Sequence, residues 1–280
     1  MDAKEHYFEL DGWARFDMPT EDYYDLEQFP EGFTAYDGSE VWNFIHSRIA
    51  FHNEPETKQD EYDADNWKAD FNKAVSGLHS MVSAQVCRGL QEVIESGEKV
   101  PKGSPYTDPK VEFNRRLNPS TAEKPQAIEN LYFTYMLLLS AVRVVRDRLL
   151  LDCESGKIEP ESAEKLKPIL AYSLLDEPKI QVAFKKLHDH AIKDSNTMWQ
   201  ARMRTRELFR IMNCVQCNKC KLHGKISVLG LSTALQVLIG TNGEGGDVKI
   251  IHRVELAALM TCLHKFSSAV QYVQMMMTSK

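Results

Sequence analysis

The sequence predicts an all-α fold, a single-domain helical bundle with a loop-rich N-terminal segment. Long stretches repeat apolar residues at intervals of three and four, the spacing of one buried helix face, and strand-like alternation is scarce. Residues 1–66 are interrupted by prolines and glycines. A chain of 280 residues is long enough to bury one large core. We therefore predict one domain over residues 1–280, with a loop-rich part at 1–66 and a helical core at 67–280.

One short helix is predicted within the N-terminal part, in "SEVWNFIHSRIAF". Ser39 stands at the N-cap position, where its hydroxyl can accept a hydrogen bond from the first free backbone amides. Four apolar residues follow at helical spacing, namely Val41, Phe44, Ile45 and Ile49. The acidic stretches on either side are typical of solvated loops.

The predicted core begins with "DFNKAVSGLHSMVSAQVCRGLQEVIESG", a helix that ends at Gly97. An irregular stretch from Pro101 to Pro125 contains one short helical turn, "KVEFNRRL". The segment "AIENLYFTYMLLLSAVRVVRDRLLL" is apolar on most faces, which indicates a central buried helix. Five further helices are predicted in "PESAEKLKPILAYSLL", "EPKIQVAFKKLHDHAIKD", "TMWQARMRTRELFRIM", "SVLGLSTALQVLIG" and "IIHRVELAALMTCLHKFSSAVQYVQMMM".

Charge and hydropathy argue against several classes of protein. The net charge is −6, so nothing indicates a nucleic-acid-binding surface. No uninterrupted run of about 18 apolar residues occurs, so we expect no transmembrane segment, although peripheral membrane association stays compatible with the sequence. The first residues, "MDAKEHYFEL", lack the basic start and apolar core of a signal peptide, and none is expected there.

The six cysteines are unevenly distributed along the chain. Cys214, Cys217 and Cys220 lie at a strict spacing of three in "NCVQCNKCKLHGK", whereas a disulfide framework would spread its cysteines along a small chain. The others are expected to be buried free thiols in helices, and they are Cys87, Cys153 and Cys262.

A metal site is one interpretation of the three clustered cysteines. An iron–sulfur cluster would need a fourth cysteine soon after the third, and position 224 is a glycine. Zinc needs four ligands, and His223 is the candidate for the fourth. Four ligands in such a short run differ from the usual two separated pairs, so we expect no metal. A zinc-stapled helical interaction module without redox activity is kept as the alternative.

A redox-active disulfide is the other interpretation. Residues three apart on a helix have Cβ atoms about 5–6 Å apart, and a disulfide needs about 3.5–4.5 Å, so a Cys-x-x-Cys at a helix start can close with little adjustment. Cys217 can bond Cys214 or Cys220 but not both. Arg210 and the lysines within the run favour the thiolate, the form that exchanges with disulfides.

A dithiol that oxygen reoxidises needs a cofactor, and a flavin supplies this chemistry. No Gly-x-Gly-x-x-Gly motif occurs, so a Rossmann-type flavin site is not expected. In a helical bundle the flavin would be enclosed between helices. Aromatic stacking and a histidine would hold it there, with an arginine for its phosphates.

The segment "RIMNCVQCNKCKLHGKISVLGLSTALQVLIG" resembles the endoplasmic reticulum oxidoreductins, flavin thiol oxidases that reoxidise protein disulfide isomerase. Members of that family carry a similar Arg-Ile-Met-Asp-Cys-Val-x-Cys-x-Lys-Cys run, followed by a Gly-Leu-Gly-Thr-Ala-Leu-like helix. The resemblance covers most of residues 20–275. Further similar segments, in the family's order, are "FTAYDGSEVWNFI", "FNKAVSGLHSMV", "FNRRL", "ENLYFTYMLLLSAV" and "VELAALMTCLHKFSSAVQYV".

The resemblance implies that Cys217 and Cys220 form the flavin-proximal disulfide, with Cys220 nearer the flavin. Cys214 would match a cysteine that bonds to one far upstream. The implied cofactor is FAD, and the implied cofactor-binding residues are Thr34, Trp42, Ser76, His79 and Arg116. Taken without the resemblance, Trp42 would be a core anchor and His79 a hydrogen-bonded core histidine. Arg116 beside Arg115 would then be a solvated pair.

Several positions depart from the family pattern. Gly32 and Ala127 stand where family members carry arginines that contact the flavin. Lys124 and Arg115 are candidate substitutes for those arginines. His223 replaces a tryptophan, which changes the packing after the last clustered cysteine. Two family cysteines with a regulatory role would fall at Ala50 and Asp65, and the family's upstream shuttle pair has no counterpart, since no cysteine precedes Cys87.

The implied function is that of an FAD-dependent thiol oxidase. Electrons would pass from a client dithiol, on a protein disulfide isomerase-like oxidoreductase, through the Cys-x-x-Cys disulfide to FAD and molecular oxygen. The products would be disulfides for oxidative protein folding and hydrogen peroxide, and the expected location is the lumen of the endoplasmic reticulum. The short flavin sulfhydryl oxidases of the mitochondrial intermembrane space are a less suitable match because of chain length and the "SGLH" segment.

Overall fold

The computed structural model describes the helical part of the chain. The described residues are 67–97, 108–118, 126–171, 173–176, 195–213, 215, 218–240 and 251–278. The predicted helices "SEVWNFIHSRIAF" and "EPKIQVAFKKLHDHAIKD" lie outside these ranges, and so does the whole of the predicted loop-rich part. The assignment of residues 1–280 to one domain therefore stays a prediction.

The described residues form seven α-helices and no strand, so the predicted all-α fold class is confirmed. Ser173–Asp176 forms a short 3-10 helix between the fourth and fifth α-helices. In chain order the α-helices are α1 (Trp67–Glu95), α2 (Pro109–Arg116), α3 (Ala127–Glu154), α4 (Pro160–Leu170), α5 (Ser195–Asn213), α6 (Asn218–Gly240) and α7 (Arg253–Thr278).

Four long helices, α1, α3, α6 and α7, form the centre of the structure. Helix α3 packs against each of the other three, and α6 packs along α7. Their inward faces share one apolar cluster, and removing that surface from water drives the packing. The largest of its fully buried side chains are Phe209, Phe266, Leu78, Met81, Leu117, Leu131 and Leu137. The shorter helices lie around this centre, with α2 on α1, α4 on α3 and α5 on α6.

Local sequence explains where α2 begins. Asp108 is its N-cap, and its Oδ1 accepts hydrogen bonds from the amides of Lys110 at 2.8 Å and Val111 at 3.1 Å. Pro109 follows at the first helical position, where its missing amide hydrogen costs nothing. The motif fixes the start of the short predicted helix "KVEFNRRL", which the structure confirms as α2.

One predicted helix is shorter than expected. The segment "PESAEKLKPILAYSLL" was expected to be continuous, but α4 ends at Leu170, two residues after Pro168. The Ala171 amide bonds to the carbonyls of both Lys167 and Ile169, a tightening typical of helix ends. The following 3-10 helix is held on α3 instead, because Arg143 Nη1 donates to the Leu175 carbonyl at 2.8 Å.

Two glycines set the spacing of the long helices. A Cβ on Gly77 of α1 would lie 2.5 Å from the Asn130 carbonyl oxygen of α3. A Cβ on Gly230 of α6 would lie 2.5 Å from the Ala258 carbonyl oxygen of α7. Thr134 occupies the space beside Gly77, and its Oγ1 donates to the Asn130 carbonyl at 2.9 Å. Both helix pairs therefore approach more closely than any side chain would allow.

Two helical stretches are long and apolar enough to cross a membrane by length and composition alone, Ala127–Glu154 and Lys221–Ile239. Half of the apolar window of the first, and 78% of that of the second, is buried inside the bundle. A central helix of a packed domain has the same composition, because it is apolar on most faces. Composition therefore does not distinguish the two roles for these helices, and their burial agrees with the predicted core.

Replacement of Gly77 by alanine is expected to destabilise the protein by about 1–3 kcal/mol, because the added methyl group would overlap α3. Gly89→Ala is the matched control on the same helix, since an added Cβ there meets nothing within 4 Å. The control should gain up to about 1 kcal/mol from helix propensity. Urea unfolding followed by circular dichroism measures both variants. Similar unfolding midpoints for the two would contradict the close approach of α1 to α3.

Candidate functional site

The three clustered cysteines lie at the break between two helices. Helix α5 ends at Asn213 and α6 begins at Asn218, with the buried Val215 between them. Cys220 occupies the first turn of α6, while Cys214 and Cys217 lie outside the described residues. The expected position of a Cys-x-x-Cys at a helix start agrees with this arrangement. The pairing of Cys217 with Cys220 stays a prediction.

Basic groups surround the first turns of α6. Lys221 and Lys225 belong to α6 itself, and Lys265 reaches it from α7, with its Nζ 3.4 Å from the Ser227 hydroxyl oxygen. Burial lowers the pKa of Lys265, and burial together with Lys221 lowers the pKa of Lys225. These ammonium groups are therefore partly removed from water, where a positive charge acts more strongly on a nearby thiolate.

His223 lies one turn after Cys220 on α6. Burial, and secondly the charge of Lys265, lower its pKa to about 4, so the imidazole is neutral at physiological pH. The described residues contain no group of three or more His, Cys, Asp or Glu side chains that could hold a metal ion. The side chains of the three cysteines in the zinc alternative are not among those described.

Ser76 and His79 lie three residues apart on α1 and so share one face of that helix. Both are half-buried, whereas Val75 and Leu78 between them are 1% exposed. Their face therefore lies at the border of the apolar core. A hydroxyl and an imidazole at that border can contact a ligand without displacing core side chains.

Arg116 ends α2 and is buried against the bundle. Its side chain is 8% exposed, whereas that of Arg115 is 49% exposed. Arg116 Nε donates to Glu112 Oε2 at 3.0 Å, and Arg115 Nη2 donates to the same oxygen at 2.7 Å. The interpretation of the two arginines as a solvated pair is therefore wrong for Arg116.

Glu112 was not recognised from the sequence, and it is 6% exposed. Burial alone would raise its pKa, but the hydrogen bonds and charges of Arg115 and Arg116 more than compensate, and the net pKa is lowered. The only hint in the sequence was the spacing of Glu112 three and four residues before the arginines, which fits ion pairs on one helix face.

The remaining predicted site residues are placed as follows. Thr34 and Trp42 lie outside the described residues, as do Gly32 and Lys124. Ala127 is 5% exposed at the start of α3, in the position where family members carry an arginine. The candidate substitute Arg115 is bound to Glu112.

A cavity of about 330 Å³ lies between α1 and α7. It is lined by Arg88, Gln91, Glu92, Glu95, Ser268, Gln271, Tyr272 and Met275. None of the predicted site residues belongs to this lining, so the cavity is separate from the predicted cofactor site.

The isolated cysteines are buried free thiols, as predicted. Burial raises the pKa of Cys87 to about 12, against an opposing effect of Arg116. Burial likewise raises the pKa of Cys262 to about 12. These groups remain protonated at physiological pH and are poor nucleophiles, which leaves the clustered cysteines as the candidates for thiol chemistry.

The fold is that of a known class of helical proteins. The solved structure described as Ero1p, source of disulfide bonds for oxidative protein folding in the cell, superposes with a TM-score of 0.61. The superposition covers 86% of this chain and 59% of that one at 22% identity. A double-cysteine mutant of S. cerevisiae Ero1p superposes with a TM-score of 0.58 over 85% of this chain and 62% of that one, at 21% identity.

The chain belongs to the Endoplasmic Reticulum Oxidoreductin 1 (ERO1) family, whose sequence profile matches residues 2–273. It is 30% identical to endoplasmic reticulum oxidoreductin-2 of Arabidopsis thaliana over 94% of this chain and 56% of that protein. It is 27% identical to ERO1-like protein alpha of Homo sapiens over 98% of this chain and 64% of that protein. The chain thus spans between half and two thirds of the length of these relatives, and the family resemblance noted in the sequence is confirmed.

The buried thiols are expected to resist alkylation in the folded protein. Iodoacetamide at pH 8 should modify neither Cys87 nor Cys262 until the chain is unfolded, because both are inaccessible and protonated. Peptide mass spectrometry after labelling with and without urea measures this. Rapid modification of either residue in the folded protein would show that the helices open at these positions.

Proposed function

We propose that this chain is an FAD-dependent thiol oxidase that transfers electrons from a client dithiol to molecular oxygen. The observation that carries the proposal is the family match over residues 2–273, which includes the Cys-x-x-Cys motif at the start of α6. Two client thiols lose two electrons and two protons and become a disulfide. Oxygen takes up the same electrons and protons and becomes hydrogen peroxide.

The proposed thiol step begins with attack of a client thiolate on the sulfur of Cys217. The Cys217–Cys220 bond breaks and Cys220 leaves as a thiolate. The second client thiolate then attacks the client sulfur of the mixed disulfide and releases Cys217. The basic groups at the start of α6 support this step, since Lys221, Lys225 and Lys265 stabilise the departing thiolate.

The described part of the cofactor site suits FAD in the chemistry of its donors. Arg116 offers a guanidinium fixed by Glu112, which fits a diphosphate, and Ser76 and His79 offer a hydroxyl and an imidazole on one face of α1. Thr34 and Trp42 complete the proposed set. The bound FAD would supply the two-electron acceptor that links thiol oxidation to oxygen.

The proposed partner is a protein disulfide isomerase-like oxidoreductase, and the proposed location is the lumen of the endoplasmic reticulum. The names of the matched relatives, which place them at the endoplasmic reticulum, support the location. The sequence has no cysteine before Cys87 that could form an upstream shuttle pair. Direct exchange between the client and Cys217 is therefore the proposed route within this chain.

The visible spectrum of the purified protein tests the proposal. A flavin spectrum is expected, with oxygen uptake when dithiothreitol or reduced protein disulfide isomerase is added. Uptake with dithiothreitol alone would restrict the function to small thiols. A folded protein that carries one zinc ion and no flavin would replace the proposal with the zinc-stapled interaction module.

Cys217→Ser is expected to abolish thiol oxidation, because no disulfide can form with Cys220, while folding and FAD content are retained. Cys153→Ala is the control, since this thiol lies near the end of α3 and takes no part in the proposed step. Oxygen uptake, absorbance of the flavin and circular dichroism are compared for both variants. Loss of folding in Cys217→Ser, together with loss of bound zinc, would favour the metal interpretation.

Lys265→Met is expected to raise the pKa of the reactive thiol. Ser227, which Lys265 contacts, lies seven residues after Cys220, or about 10 Å along the helix axis. A unit charge at that distance changes a pKa by at most about one unit. The pH dependence of alkylation in the reduced protein measures the pKa. Lys265→Arg should behave as the wild type, and a loss of similar size in that variant would exclude a simple charge effect.

A further inference from the structure

Glu112 binds two arginines with one oxygen atom. Its Oε2 accepts hydrogen bonds from Arg115 Nη2 at 2.7 Å, from Arg115 Nε at 3.3 Å and from Arg116 Nε at 3.0 Å. The carboxylate is 6% exposed, and a buried carboxylate is tolerated only with such partners. Two positive charges against one negative charge leave this end of α2 with a net positive charge.

The geometry of the pair orients Arg116 in particular. A guanidinium is planar and has donors on several edges. The bond to Glu112 uses Nε, so it fixes the plane of the group through one edge and does not itself use the two terminal nitrogens. The Arg116 side chain is 8% exposed, so packing also restricts its rotamers.

The helix that carries Glu112 and Arg116 is itself firmly held. Asp108 caps its first turn, and Leu117, directly after the helix, is fully buried. Phe113 meets the ring of Tyr272 on α7 edge to face, with ring centroids 6.1 Å apart. The position of Arg116 relative to α1 and α7 is thus set by packing as well as by the ion pair.

We infer that Glu112 is a positioning residue for the cofactor, which holds Arg116 so that its terminal nitrogens meet the diphosphate of FAD. The inference rests on the proposed function, since it needs FAD at this site. Two rigid parallel hydrogen bonds to a phosphate require a fixed guanidinium plane. An arginine without Glu112 would lose rotamer freedom on binding the diphosphate, and this entropy cost would weaken binding.

A purely structural role for the ion pair predicts a different result. In that case, loss of Glu112 would lower the stability of α2 and leave the contacts to the diphosphate unchanged. The two roles are separated by a double-mutant cycle, because a residue that acts through Arg116 has no effect once Arg116 is replaced.

The experiment uses Glu112→Gln, Arg116→Gln and the double variant, each as the FAD-loaded full chain. FAD release on dilution, followed by flavin fluorescence, gives the dissociation constant. We expect Glu112→Gln to weaken FAD binding about tenfold, as for other residues that orient a ligand-binding group. The double variant should bind FAD no more weakly than Arg116→Gln alone. The ³¹P NMR signals of the bound diphosphate should shift in Glu112→Gln.

Glu92→Gln is the matched control, because Glu92 also pairs with an arginine four residues away, Arg88, at 2.8 Å on the exposed surface. It should leave FAD release and the ³¹P signals unchanged. If Glu112→Gln does not fold, Glu112→Asp decides, since it keeps the charge and withdraws the carboxylate by one methylene. Weaker FAD binding in that variant supports the inference.

The outcomes that would overturn the inference are distinct from those that overturn the proposed function. Wild-type FAD affinity in a folded Glu112 variant, or losses that add fully in the double variant, would remove the positioning role alone. A wild-type protein that holds no FAD would remove the proposed function and the inference with it.

Discussion

The close contact of helix backbones at two glycines is the constraint on which the rest of the structure depends. At Gly77 the backbone of α1 reaches the Asn130 carbonyl of α3, and at Gly230 that of α6 reaches the Ala258 carbonyl of α7. Because α3 and α7 also contact each other, these two approaches fix all four long helices in one arrangement. Ser76 and His79 lie directly beside the first contact on α1, and Cys220 lies on the same helix as the second. The positions of the candidate cofactor and dithiol residues are thus consequences of backbone packing.

Burial and charge then determine the chemistry at these positions. The isolated thiols are enclosed by apolar side chains, and the pKa values of Cys87 and Cys262 rise to about 12. The start of α6 combines a helix N-terminus with half-buried ammonium groups, and both favour a thiolate. One fold therefore contains protected thiols and a region suited to thiol exchange. The difference between them is set by the surroundings of each cysteine.

Most of the helices could be predicted because their boundaries are local. Asp108 and Pro109 define the start of α2, and the apolar pattern of α3 indicates a central helix before any packing is known. The end of α4 was predicted too late. The apolar spacing continues through Leu175, whereas the backbone turns into a 3-10 helix that bonds to α3. That bond joins residues 32 apart in the chain and has no local sequence signature.

The sequence by itself determined the all-α class, the family, and the cysteines on which thiol chemistry can depend, because helix periodicity and the spacing of a motif are properties of neighbouring residues. Only the tertiary structure decided that Arg116 is buried while Arg115 is partly exposed, and that Lys265 of α7 stands against Ser227 of α6. The physical reason is that burial and long-range charge depend on which helix faces meet. Residues as far apart as Ser227 and Lys265 become neighbours only when α6 and α7 pack together.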